Sequence, residues 1–217
     1  MRSLLRATAL LAAATALAAC PVPAGATTHA APADRAPYVA LEHPQPVPES
    51  GRAEAVEFFW YDCVHSQQLE RPLQDWASRH RTDVVLRRVP AVWQGSPGER
   101  AQLGHARLYY TLERLDLVDR LQLTAFRSIR EQREDLTTED GAVSWALRQG
   151  VDAEVFREAY RSAEVGELTA GAAATFRRYE ITELPSVVVR GRFRTSPSSA
   201  GGVDEMPAVL DRLVQQG

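Results

Sequence analysis

Residues Ala53 to Trp60 read AEAVEFFW, a near-continuous apolar run with three aromatic side chains, interrupted only by Glu54 and Glu57. A run this short and this apolar on both alternating faces predicts a strand buried on both sides. Asp62-Cys63-Val64-His65-Ser66 follows at once, and then Leu69, Leu73, Trp76 and Ala77 recur at helical spacing. Cys63 therefore falls at the start of a helix. Thr82 to Val89 (TDVVLRRV) is the next strand, and strand, helix and strand in succession imply a parallel pair.

The rest of the chain is arranged around this unit. Tyr38 to Leu41 is a short strand candidate ahead of a connector carrying Pro44, Pro46 and Pro48. From about Ser96 to Glu164 the apolar period changes to 3.6. Ala101, His105, Leu108, Leu112 and Leu115 share one helical face, and Leu117, Leu121, Phe126 and Ile129 mark a second helix. Thr137 with Asp140 opens a third helix around Trp145, which Gly150 ends; Asp152 opens a fourth with Val155, Phe156 and Tyr160. A long helix runs from about Ala163 to Tyr179. Ser186 to Val189, Arg190-Gly191 and Arg192 to Thr195 read as a hairpin, and Val203 to Val214 is a closing helix. The predicted class is α/β: a thioredoxin-like fold made of residues 38–95 and 165–217, with an all-helical domain, residues 96–164, inserted in it.

The N-terminus reads as an address. Arg2 and Arg6 precede an uncharged Ala- and Leu-rich stretch to Ala19, the pattern of a secretory signal over residues 1–19. As a helix the stretch from Ala7 rises only about 20 Å at roughly 1.5 Å per residue, short of the ~30 Å a permanent span requires. Leu17-Ala18-Ala19-Cys20 resembles a bacterial lipobox, which implies lipidation at Cys20 and a membrane anchor on the periplasmic side. The competing cleavage site, Ala24-Gly25-Ala26, would leave a soluble periplasmic chain near Ala26. Residues 20–37, rich in Ala, Pro, Thr and Gly, form a solvated linker. With a net charge of -3 made of interspersed 25 basic and 28 acidic residues, the chain presents no broad positive surface, so nucleic acid is not an expected partner. Two cysteines, Cys20 and Cys63, exclude a disulfide framework and a zinc site of several thiolates.

The run Glu57-Phe58-Phe59-Trp60-Tyr61-Asp62-Cys63-Val64-His65-Ser66, Ile181-Thr182-Glu183-Leu184-Pro185 before Val187-Val188-Val189, and Arg192-Phe193-Arg194-Thr195 resemble the periplasmic thiol-disulfide oxidoreductases of the DsbA family. The resemblance covers residues 38 to 217. It implies that Cys63 is the nucleophile, that His65 tunes it, that Glu57 is a buried acid serving proton transfer, and that Leu184 and a cis Pro185, together with Val64, contact an extended substrate peptide. It also implies cysteine-containing periplasmic partner proteins, and it brings in no cofactor and no metal. Elementary chemistry agrees on Cys63, because a thiol at a helix N-terminus faces unpaired N–H groups and the positive end of the helix dipole.

The departures matter as much. The family pattern is Cys-Pro-His-Cys, and here it reads Cys63-Val64-His65-Ser66. A single thiol cannot store an intramolecular disulfide, so mixed-disulfide exchange resolved by glutathione, a second substrate thiol or a membrane thiol-disulfide partner fits better than net oxidation. Asp62 places a like charge beside a thiolate, and Ser66 can donate a hydrogen bond to it. Plainer readings stand beside these: Cys63 as a small buried hydrophobe, His65 as a surface histidine, Glu57 paired with an arginine, Pro185 as a loop end and Ser66 as an ordinary helix-start residue. A metal site at Cys63 and His65 lacks further ligands, and a Cys-His hydrolase is poorly arranged with both groups in one turn. The alternative function is a non-catalytic module that uses the same groove to bind peptides or unfolded chains.

Overall fold

The computed structural model describes residues 36–48 and 51–216. The signal and lipobox readings, including Cys20, lie outside the described residues. Its five strands are β1 (Val39–Ala40), β2 (Ala53–Phe59), β3 (Val84–Pro90), β4 (Ser186–Val189) and β5 (Phe193–Thr195), arranged in the order β1-β5-β4-β2-β3. Strand β2 lies inside the sheet between β4 and β3, and all seven of its residues are buried, Glu54 and Glu57 among them. It runs parallel to β3 in a register that sets Glu57 opposite Arg88, and antiparallel to β4. The β4–β5 hairpin turns on Arg190 and Gly191, both at positive φ, with Arg192 N–H donating to the Val189 carbonyl. Gly191 is required there twice over, since a Cβ would stand 2.2 Å from the Gln45 carbonyl oxygen.

Helix α1 (Val64–Arg79) connects β2 to β3 and covers one face of the sheet together with α8 (Met206–Gln215). Its fully buried Leu69 and Leu73 join Ala53, Ala55, Val187, Val189 and Leu210 in one core, each leucine worth roughly 1.5–3 kcal/mol of burial. On the opposite face Val56, Phe58 and Val188 pack against Phe176, Tyr179 and Ile181 at the end of α6 (Ala163–Arg178).

Between β3 and α6 lie α2 (Glu99–Arg114), α3 (Val118–Arg130), α4 (Glu139–Arg148) and α5 (Ala153–Arg161). They enclose their own core around Phe126, Trp145 and Phe156, which Phe59 and Tyr61 enter from the end of β2. Asp152 caps α5 as expected, accepting from the N–H groups of Glu154 and Val155. The α4 cap is one residue later than the spacing suggested. Thr138 is the N-cap and accepts from Gly141, while the Thr137 hydroxyl turns back to Asp135. The closing segment is also divided. A short helix, α7 (Pro197–Ala200), ends at Gly201 in the left-handed region, and α8 begins only at Met206 with Pro207 in its first turn. Among the described residues no helix is long and apolar enough to cross a membrane.

Candidate active site

Cys63 occupies the N-cap position of α1, half-buried, with extended backbone dihedrals and its N–H donating to the Trp60 carbonyl. No side-chain capping bond forms, so the first-turn N–H groups remain directed at the sulfur's surroundings. The Cys63 thiol donates instead to the Leu184 carbonyl, 3.7 Å away. The Leu184–Pro185 peptide is cis. Beside this contact lies a groove of about 780 Å³ whose lining includes His65, Gln68, Leu184, Ser198 and Asp204. His65 is exposed where it lines the groove, and the preceding Val64 is 42% exposed. Glu183 ties the two walls together: its carboxylate accepts from Ser196 at 2.6 Å and Ser198 at 2.5 Å, and its carbonyl from Ser186.

Ser66 departs from its expected role as a thiolate partner. It is fully buried, and its hydroxyl oxygen accepts from the Trp60 backbone N–H at 3.4 Å; no hydrogen bond joins it to Cys63. The reason is geometric. Its side chain tilts back toward the helix N-terminus, as helical side chains do, and its hydroxyl there meets the end of β2.

Glu57 is fully buried and paired with Arg88, whose Nε donates to it at 3.0 Å and whose Nη2 donates to Glu70 at 2.8 Å. The carboxylate is thus both paired with an arginine and protonatable, since one guanidinium is shared between two buried acids. Burial, and next the nearby Glu70, push the Glu57 carboxyl up to about 8. One proton on Glu57 leaves Arg88 and Glu70 as a neutral pair, the only low-cost state for three charges out of water. In the unfolded chain the group titrates near 4.5, so between 4.5 and 8 unfolding releases a proton and stability falls as pH rises. Glu57→Gln is therefore expected to gain stability relative to the parent across that window, on the order of a few kcal/mol by pH 8. Denaturant melts of the two chains at a series of pH values check this.

His105 is a functional candidate that the sequence reading left among apolar neighbours. It is 4% exposed on α2, and its Nδ1 accepts from the indole N–H of Trp60 at 3.0 Å, joining the helical block to the segment that carries Cys63. Burial lowers its imidazole to about 4, so the ring is the neutral acceptor this bond needs. Because the unfolded residue takes a proton near 6.5, its contribution is complete above 6.5 and is lost as pH falls toward 4. His105→Gln, which keeps an acceptor but no titration, is expected to remove that acid-side loss of up to about 3 kcal/mol, as thermal melts between pH 4 and 7 would record. A histidine within an apolar helical stripe, across from a strand ending in tryptophan, was the available signal. For Arg88 and Glu70 the signal was a pair of arginines inside an otherwise apolar strand.

A half-buried cysteine at the first helix cap of a thioredoxin fold, facing the carbonyl before a cis-proline, with a helical block inserted after β3, defines the class of thioredoxin-fold thiol-disulfide proteins. The chain belongs within it to the DsbA family of thiol-disulfide oxidoreductases. Residues 46–214 match the DSBA-like thioredoxin domain. The chain is similar to the thiol:disulfide interchange protein DsbA of Bordetella pertussis, 35% identical over 198 residues, covering 88% of this chain and 91% of that one. The corresponding protein of Burkholderia cepacia is 30% identical over 188 residues, with 86% of each chain covered. Among solved structures, Pseudomonas aeruginosa DsbA superposes with a TM-score of 0.76 at 29% identity, covering 83% of this chain and 92% of that one.

Proposed function

We propose that the protein is a thiol-disulfide interchange enzyme of the bacterial cell envelope that works through Cys63 alone. The observation that carries this is the coincidence at one point of a half-buried thiol, a helix N-terminus and the Leu184–Pro185 loop, with Ser66 standing where the family pattern has its second cysteine. The Cys63 thiolate attacks a disulfide RS–SR′, forming Cys63–S–SR and releasing R′S⁻. A second thiolate then attacks the substrate sulfur, forming the new disulfide and returning Cys63 as thiolate. Electrons are exchanged and none are gained, so the cycle is isomerase-like rather than oxidising. In this reading His65 and the first-turn N–H groups favour the sulfur's negative charge, and Glu57 holds and returns the proton. Val64, Leu184 and Pro185 contact the substrate backbone.

The substrates are cysteine-containing periplasmic proteins, and the resolving thiol comes from a second substrate cysteine, from glutathione or from a membrane thiol-disulfide partner. The signal over residues 1–19 and lipidation of Cys20 would hold the enzyme at the membrane on a linker of residues 20–37, with cleavage near Ala26 as the soluble alternative. Residues 96–164 act as the helical insertion of the thioredoxin-like domain. Reactivation of a scrambled disulfide protein by the full chain tests the reading. Activity that glutathione raises and that Cys63→Ala abolishes is the expected result. Recovery that Cys63→Ala leaves intact, or a purely aggregation-suppressing effect, would favour the peptide-binding module instead.

A further inference from the structure

Asp62 sits directly before the nucleophile, where its charge should oppose a neighbouring thiolate. The helical block answers that charge. Arg130, the last residue of α3, donates from Nη1 to the Asp62 carbonyl at 2.7 Å, and the same nitrogen lies 3.5 Å from the Asp62 carboxylate. Its Nε donates to Gln67 Oε1 at 3.0 Å, and Gln67 in turn donates from Nε2 to Glu131 at 2.6 Å. One guanidinium therefore grips both ends of the turn that carries Cys63, residues 62 and 67. Only the planar fork of arginine reaches two acceptors in this way. Its side chain is 23% exposed against 42% for Asp62, so the pair is screened only in part.

The other charged groups around Cys63 do not take this role. Beneath the turn, Arg88 is committed to Glu57 and Glu70. From α2, His105 is neutral and bonded to Trp60. In the loop before β4 the Glu183 carboxylate is taken by Ser196 and Ser198, and across the groove Asp204 and the exposed His65 share the lining. Glu131 is turned to Gln67. Among the described residues, Arg130 is the arginine hydrogen-bonded to the segment that carries Cys63.

We propose that Arg130 is a positioning residue for Cys63, cancelling the Asp62 charge and fixing the 62–67 turn so that an acid next to the nucleophile does not oppose its ionisation. This rests on Cys63 being the reactive thiol. The inserted helical block thereby sets the reactivity of a sulfur that belongs to the thioredoxin-like part.

The test is the pH midpoint of Cys63 alkylation by iodoacetamide in the full chain, read on the peptide that carries Cys63. Arg130→Gln, which keeps hydrogen-bonding capacity and removes the charge, should raise the midpoint by about one pH unit. Arg130→Lys, which keeps the charge and loses the fork, should leave the midpoint between those of Arg130→Gln and the parent. Asp62→Asn alone should lower the midpoint, because Arg130 is then uncompensated, and Asp62→Asn with Arg130→Gln should return it to the parent value. An Arg130→Gln midpoint equal to the parent, or a double variant that keeps the full rise, overturns the role assigned to Arg130. Should Arg130→Gln fail to fold, Arg130→Met, which keeps the apolar stem and removes the charge, is read in its place: the same rise is expected, and a midpoint equal to the parent overturns the role assigned to Arg130. A parent Cys63 that alkylates only after unfolding overturns the reading of the site, and this role with it.

Discussion

Replacing Cys63 by alanine is expected to reduce disulfide exchange to the uncatalysed background, with the melting curve little changed. Cys63 is the free cysteine among the described residues, and a hydroxyl does not take the place of a thiolate in attack on a disulfide. The side chain is half-buried and its one bond, to the Leu184 carbonyl, is long, so its truncation removes little packing. Cys20, lipidated on its sulfur or removed with the leader in the two processing routes, supplies no thiolate, so exchange that survives would have to be carried by a group other than a cysteine thiol. Recovery of a scrambled substrate in a glutathione buffer is the measurement. A variant that keeps its rate would relocate the chemistry away from the helix cap.

The opposite change is expected to be as large. Ser66→Cys should convert the protein from a single-thiol exchanger into a dithiol oxidant. Residues three apart in a first helical turn have Cβ atoms about 5–6 Å apart, and first-turn backbone adjusts within the range a disulfide bridges. Ser66 is fully buried, an environment that suits a cysteine, and the bond it would give up, from the Trp60 N–H, is already 3.4 Å long. The cost to stability should stay near 1 kcal/mol or below. Once oxidised glutathione has joined Cys63 and the new cysteine, leaving as two reduced glutathiones, one reduced dithiol peptide per chain should be oxidised, its two thiols giving a disulfide as the protein's disulfide gives two thiols. No outside thiol is then needed. Mass analysis of both partners after a single turnover checks this, and a variant that still yields only mixed disulfides would show that the pair cannot close.

Local signals carried much of the fold into view from residue order alone. The apolar run of β2, the helical spacing of Leu69, Leu73 and Trp76, and TDVVLRRV place Cys63 at the cap of α1 without any tertiary information, because each is set by contacts within a few residues. The same holds for the helical block and for the Arg190-Gly191 turn, where two positive-φ positions suit a tight hairpin. What was not legible is what depends on register and on packing between distant segments. Arg88 meets Glu57 from 31 residues away, His105 meets Trp60 from 45, and Arg130 meets Asp62 from 68. No periodicity contains those pairings, since each needs the sheet register or the docking of a helix end. The Thr137–Thr138 displacement is a smaller case: two adjacent threonines offer the same cap, and the competing acceptor on Asp135 decides between them. The hydrogen bond that the Ser66 hydroxyl accepts from the Trp60 N–H is of the same kind, set by the packing of α1 against the end of β2.

Glu57 joins the two kinds of information. Its place inside an apolar run marks it as buried, and burial first, with the nearby Glu70 second, explains why a carboxylate paired with Arg88 still keeps its proton to about 8.

The most direct test of single-thiol exchange is to incubate the native full chain with oxidised glutathione, quench it with acid, and locate the adduct by peptide mass. One glutathione on Cys63, discharged as mixed disulfide when a second thiol is added and absent from Cys63→Ala, is the result this account predicts. A native Cys63 that takes up no glutathione, or an adduct that no added thiol releases, would contradict it.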